Sequence, residues 1–283
     1  MPQSVRINRP SMEPSYKFKN DPRTARSKVA DWLALVASGI LIALFVLFHG
    51  KELLLSSRFA TTLAITMAFA LVGRLTHGVS TSGAVAGAVV AFLMATRDLR
   101  MFWILLVVFA VTLVATRLGR SHKKQLHIAE SDNGRSASQV IANLGIAGLI
   151  MAVPSFGAWR IMALAALAEA SADTTSSEIG TAFPGRTVLI STWKTVSPGI
   201  DGGISMSGTF AGLFSAAIIA ACGLAFGLTT LPEATALACA GTGGMLVDSL
   251  LGATLEKRGY LNNDLVNLFG TSSAVLVAWL MMQ

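Results

Sequence analysis

A chain of 283 residues with 53% hydrophobic and only 13% charged residues is not an ordinary water-soluble domain, in which about a quarter of the residues would be charged. A mean hydropathy of +0.63 and a net charge of +7 describe instead a polytopic membrane protein with its basic residues gathered outside lipid. The two cysteines, Cys222 and Cys239, each lie inside an apolar run, and no spacing suggests a disulfide framework or a zinc site.

Residues 1–28 carry Arg6, Arg9, Lys17, Lys19, Arg23, Arg26 and Lys28 against Glu13 and Asp21. They hold no apolar run and are expected to form a flexible basic cytoplasmic tail, with the first helix kept as an anchor and not removed as a signal peptide. Residues 29–283 are expected to be a single transmembrane catalytic domain. Nine apolar runs follow, at 30–48, 59–75, 79–95, 101–116, 138–154, 161–177, 207–228, 233–255 and 265–282, each near the roughly 17–25 residues that cross a bilayer. The expected fold is an all-α helix bundle with about nine transmembrane helices, packed through its abundant Gly, Ala and Ser. With the N-terminus inside, the longer polar connections 117–137, 178–206 and 256–264 fall on the cytoplasmic side, and the short ones fall opposite. Long ordered loops tend to carry function, so the working face is expected to be cytoplasmic, where nucleotides are available.

The first of those connections begins the stretch "HKKQLHIAESDNGRSASQVIAN", residues 122–143. Lys123, Lys124 and Arg135 are suited to clamping phosphate oxygens. A basic loop is also what topology alone predicts, but Arg135 precedes a helix containing Asn143. None of the four histidines falls near a nucleophile motif, so no Ser-His-Asp arrangement is expected.

Next comes "AEASADTTSSEIG", in which Glu169 and Asp173 are four residues apart and share a helix face. Their repulsion is relieved by protonation, a basic partner or a cation; Mg²⁺ held by one or two carboxylates plus substrate phosphates fits. A polar helix end wetted by head-group water is the plainer alternative. The connection "STWKTVSPGIDGGISMSGT" places Gly199, Gly202, Gly203 and Gly208 around Asp201 and Ser205. Successive backbone N–H groups in such turns bind anions, and the next helix begins there with its positive dipole end. Lys194 is close enough in sequence to join a phosphate. The P-loop order is absent, and a flexible turn would look similar.

In "GTGGMLVDSLLGATLE", Gly244, Asp248 and Gly252 recur every four residues and form a small-residue stripe. Asp248 then points into the bundle, where it needs a partner or a metal. In "YLNNDLVNLFG", Asn263 and Asn267 are placed to meet phosphate, ribose or base, unless Asn262 or Asn263 merely caps the helix.

The stretches "TSGAVAGAVVAF", "GRSASQVIANLG", "ADTTSSEIG", "VSPGIDGGISMSGTFAG", "VDSLLGATLE" and "NNDLVN" run in order from about Thr81 to Asn267. Together they resemble a membrane family long catalogued as a domain of unknown function, number ninety-two, which includes the plant and cyanobacterial phytyl-phosphate kinase. That family is distantly similar to CTP-using membrane enzymes such as dolichol kinase and phosphatidate cytidylyltransferase. The resemblance implies that Asp173 and Glu178 help hold Mg²⁺. It implies that Lys194 and the loop from Gly199 to Gly208 contact nucleotide phosphates, and that Asp201 binds metal or positions the loop. Thr175 departs from the bulkier residue that members often carry, which bears on lipid preference.

The resulting expectation is a polyprenyl-phosphate kinase that moves the γ-phosphoryl group of a nucleoside triphosphate, CTP by analogy, to an isoprenyl monophosphate. Asp173, Lys194 and Asp201 would carry the transfer, with Asp248 beside Asp173 and Glu178 at the metal. Ser205, Arg135, Asn143 and Asn263 would join the glycines around the nucleotide. An acceptor that is already a phosphate dianion needs no histidine base. The expected partners are that lipid, the nucleotide and membrane lipids, with no nucleic acid; the small-residue stripes permit a homodimer. A CTP-dependent cytidylyltransferase and a transporter are the alternatives, the latter disfavoured because the acidic residues cluster towards one face and no transporter-like repeat stands out.

Overall fold

The computed structural model describes residues 22–55, 57–125, 129–154, 157–183 and 185–282. Among these, helices α1 (Pro22–Leu55), α2 (Phe59–Leu75), α3 (Thr81–Arg97) and α4 (Leu99–Arg117) precede the short α5 (Arg120–Gln125). Then come α6 (Ala137–Ala152), α7 (Trp159–Ala182), α8 (Met206–Ala225), α9 (Leu231–Leu251) and α10 (Asn263–Leu280). Each of the nine apolar runs is a helix. Of the expected basic tail, residues 1–21 lie outside the described residues, and Pro22 already begins α1.

Two expectations change. By length and composition, four helical segments can cross a membrane: Ser27–Lys51, Leu99–Arg117, Met206–Ala225 and Leu231–Glu256. Phe59–Leu75, Thr81–Arg97 and Ala137–Ala152 are apolar but shorter, so about nine full spans is too many to read from length alone. The fold is also not purely helical. Strands β1 (Thr187–Leu189) and β2 (Gly203–Ser205) pair antiparallel in the connection between α7 and α8, with Thr187 opposite Ser205 and Leu189 opposite Gly203.

Helix α7 is the axis of the bundle. Ala163, Leu164, Ala165, Ala166, Leu167 and Ala168 are all buried, because α4, α6, α8, α9 and α10 surround them. A helix apolar on every side belongs inside protein, and its alanines let the neighbours approach closely. Its second half carries the carboxylates, so the central helix delivers them to one end of the bundle. At the other end Asp98 accepts from the α4 backbone at Arg100 and from the side chains of Arg100 and Arg160. Burial alone would raise the Asp98 carboxyl, but those hydrogen bonds outweigh it and hold it below the usual carboxylate range.

The start of α3 is pinned to the segment before α6. Ser80 N donates to Arg135 O at 2.9 Å, and Arg135 N donates to Gly78 O at 3.1 Å. Asp31 on α1 ties the two helix starts together, accepting from Ser82 Oγ at 2.8 Å and Ser138 N at 3.1 Å. Gly83 is required there, since a Cβ would lie 2.2 Å from Arg135 O. A short internal repeat becomes visible at this level: "GVSTSGAVAG" at 78–87 and "GISMSGTFAG" at 203–212 both begin helices. The first serine caps each helix, Ser80 accepting from Gly83 N and Ser205 from Gly208 N, and the second serine hydrogen-bonds the first.

Candidate functional site

A polar cavity of about 250 Å³ opens where α7 loses its apolar face. Asp173 enters it from α7 and Asp248 from α9, within hydrogen-bonding reach of each other. Two carboxylates this close call for a proton or a cation between them. Asp248 Oδ2 has no hydrogen-bond partner among the described residues, although it is buried. Thr187 Oγ1, also on the wall, is another buried oxygen without a partner. Among the described residues no three acidic, histidine or cysteine side chains form a ready-made metal cage. The donor set therefore suits an ion such as Mg²⁺, which takes one or two carboxylates and completes its shell with water and phosphate oxygens.

The glycine-rich connection forms the facing wall. Pro198 and Gly199 make a turn with Gly199 at φ +83°, and Gly202 sits at φ +73°. Ile190 N donates to Gly202 O at 3.0 Å, and Gly203 N to Ile200 O at 2.8 Å, so the loop is fixed by its own backbone. It rests on a π-helical turn, Gly252–Glu256, that continues α9. π-Helical turns are frequent at functional sites. At Gly202 a Cβ would lie 2.3 Å from Ala253 N, so the loop reaches this position only as glycine. Gly202→Ala is expected to lift the loop and lower turnover at least tenfold with the bundle intact; activity and circular dichroism of the purified variant check this.

Of the expected loop residues, Gly199, Asp201, Gly202, Gly203 and Ser205 line the cavity. Arg135 and Asn143 line it from the α6 side, and Asn263 from the start of α10. Asn262 is the residue that caps α10, accepting from Leu265 N at 2.9 Å, which frees Asn263 to face the cavity. Glu178 lines it too, but one of its oxygens takes an ion pair from Lys123. Lys123 is only 1% exposed, and its Nζ also donates to Thr116 O at 2.9 Å.

Two proposed residues lie elsewhere. Lys194 is exposed at the end of a tight turn in which Trp193 has φ +58°, and it does not line the cavity. Gly208 serves packing instead: a Cβ there would lie 2.6 Å from Ser176 O, so it lets α8 close on α7. Among the described residues on the wall, Arg135 is the one cation, its Nη1 donating to Thr174 Oγ1 at 3.1 Å and its Nε 4.0 Å from Glu130. Glu256, absent from the expected set, also lines the cavity; its place at the end of the Gly252 stripe was the available signal. Glu169 lies one turn deeper on α7, buried without a hydrogen-bond partner and seated against Gly244 and Gly270, outside the cavity wall.

Residues 64–275 match the family described as integral membrane protein DUF92. Protein VTE6, chloroplastic, of Arabidopsis thaliana is 33% identical over 226 residues, which is 74% of this chain and 67% of that protein. An uncharacterized membrane protein of Methanocaldococcus jannaschii is 36% identical over 173 residues, 59% of this chain and 70% of its own length. Protein PGR of Arabidopsis thaliana is 29% identical over 208 residues, 63% of this chain and 72% of its own length. No solved structure matches the chain.

Proposed function

The chain belongs to the DUF92 family of integral membrane proteins, and on that premise we propose that it is a prenyl-phosphate kinase. It moves the γ-phosphoryl group of a nucleoside triphosphate, CTP by the family resemblance, to an isoprenyl monophosphate. The observation that carries this reading is the cavity itself: Asp173 and Asp248 face a rigid glycine loop across one polar space at the end of an apolar bundle. Carboxylates sharing one polar space with a glycine-rich turn suit a metal–triphosphate, the carboxylates through the cation and the turn through its backbone N–H groups.

An oxygen of the lipid monophosphate attacks the γ-phosphorus. The bond from that phosphorus to the β–γ bridging oxygen breaks, and the nucleoside diphosphate leaves. The acceptor dianion has no proton to lose, so the protein's task is positioning and charge neutralisation. Asp173 and Asp248 would hold Mg²⁺, which supplies neutralisation of the β- and γ-oxygens. The loop from Gly199 to Ser205 directs the triphosphate, and Arg135, the cation on the cavity wall, takes the acceptor phosphate. Glu178, already paired with Lys123, braces the end of α7. The working face is cytoplasmic in this reading.

The test uses purified protein in nanodiscs with Mg²⁺, each of the four nucleoside triphosphates, and farnesyl, geranylgeranyl or phytyl monophosphate. Nucleoside diphosphate is expected to accumulate only when lipid monophosphate is present. A folded sample that turns over no pair would overturn the assignment.

A further inference from the structure

A second space in the bundle has a different character. It is an apolar groove bounded by Phe69 of α2, Gly83 and Gly87 of α3, Leu105 and Phe109 of α4, and Val140 of α6. Its free volume is about 90 Å³ and its lining is mainly apolar, which suits a hydrocarbon chain and not a charged head group. Along α4 it extends from Leu105 to Thr116, about 16 Å at the helical rise. That is the reach of roughly three isoprene units at an extended-chain rise of about 1.2 Å per bond.

The groove is not separate from the polar cavity. Glu130, Arg135, Gln139 and Asn143 line both, so the two spaces meet at the start of α6. Positive charge gathers at the junction. Arg135 stands there, and Arg117 and Arg120 line the same end of the groove; Arg120 Nη2 pairs with Asp132, while its buried Nε has no hydrogen-bond partner. A polar cavity, a cationic neck and an apolar groove in series match a phosphate monoester on a prenyl tail.

We propose that this groove binds the prenyl chain of the acceptor lipid, with its phosphate at the Arg135 neck, and that Gly87 sets the bore for the second isoprene unit. The assignment rests on the kinase reading for the class of acceptor. Gly87 lies about one helical turn deeper than Gly83, which touches the Arg135 backbone. A Cβ at Gly87 would meet nothing within 4 Å, so the space beside it is open because no side chain is there. A leucine at Gly87 would fill the bore without colliding with the backbone, and it is the better helix former.

The experiment is photo-crosslinking of the full chain in nanodiscs. The probe is geranylgeranyl monophosphate carrying a diazirine in its second isoprene unit, with adducts mapped by mass spectrometry and turnover followed in the same samples. Adducts are expected on the peptides holding Phe69, Gly87 and Phe109, competed by geranylgeranyl monophosphate. Gly87→Leu is expected to cut their yield at least fivefold, while Gly87→Ala keeps most of it and controls for folding. Adducts confined to outward faces of α8 or α10, or a yield indifferent to Gly87→Leu, would overturn the groove. Groove adducts without turnover in the wild type would sink the kinase reading and leave the groove standing. Turnover without groove adducts would do the reverse.

Discussion

Asp173→Asn is expected to lower phosphoryl transfer at least about 100-fold, the scale on which a single preorganised electrostatic group acts. Asp173 and Asp248 approach each other at the cavity wall, and Asp248 Oδ2 lacks a protein partner. Such a pair is a poor way to build a stable bundle and a good way to hold a cation against phosphates. The variant should therefore unfold at the same temperature as the wild type or higher, because one of two repelling charges is gone. Asp248→Asn should behave alike, and the double variant should be little worse than either single one, because residues acting as a unit are not additive. Steady-state turnover and thermal unfolding of the three variants in detergent check this. Loss of activity together with a large fall in stability would mean that the pair is structural.

Lys123→Met is expected to have the largest effect on stability. Lys123 is nearly fully buried and ion-paired to Glu178, with Ala115 and Thr116 carbonyls as its other acceptors. Removing one member of a buried pair leaves the other charge uncompensated, at a cost of about 3–5 kcal/mol. For a chain of this size that corresponds to roughly 10 °C in unfolding temperature. The double variant Lys123→Met with Glu178→Gln should recover most of the loss, since no unpaired charge remains. If the double variant melts no higher than Lys123→Met alone, Glu178 is not the partner that matters.

The helices were legible because apolar runs of the right length leave few other choices, and α2 has the predicted boundaries at Phe59 and Leu75. How many of them fully cross a membrane was not, because α3 and α6 are short helices that begin at serine caps inside the bundle. Asp173, Asp248 and the glycine loop were legible from spacing and composition, since a carboxylate on a small-residue helix face has few other uses. Of the two expected cations, Arg135 lines the cavity and Lys194 does not. Lys194 neighbours the loop in sequence, but the positive-φ turn at Trp193 carries it to the exposed end of the connection. Arg135 reaches the cavity through backbone pairing with Gly78 and Ser80, contacts that no local pattern announces. Lys123 read as a phosphate clamp or a topological charge and is instead a buried brace, a distinction that depends on where α5 packs. Glu256 falls on the same period-four stripe as Gly244, Asp248 and Gly252, so its place on the cavity wall was within reach of the sequence.

The most direct test of the central claim follows the phosphorus. Purified protein in nanodiscs would receive geranylgeranyl or phytyl monophosphate, Mg²⁺ and CTP radiolabelled in either the γ or the α phosphate, and the lipid product would be separated and counted. The account expects the γ label in a lipid diphosphate and the α label wholly in CDP. The α label in the lipid, with pyrophosphate released, would contradict it and make the same cavity a cytidylyltransferase site.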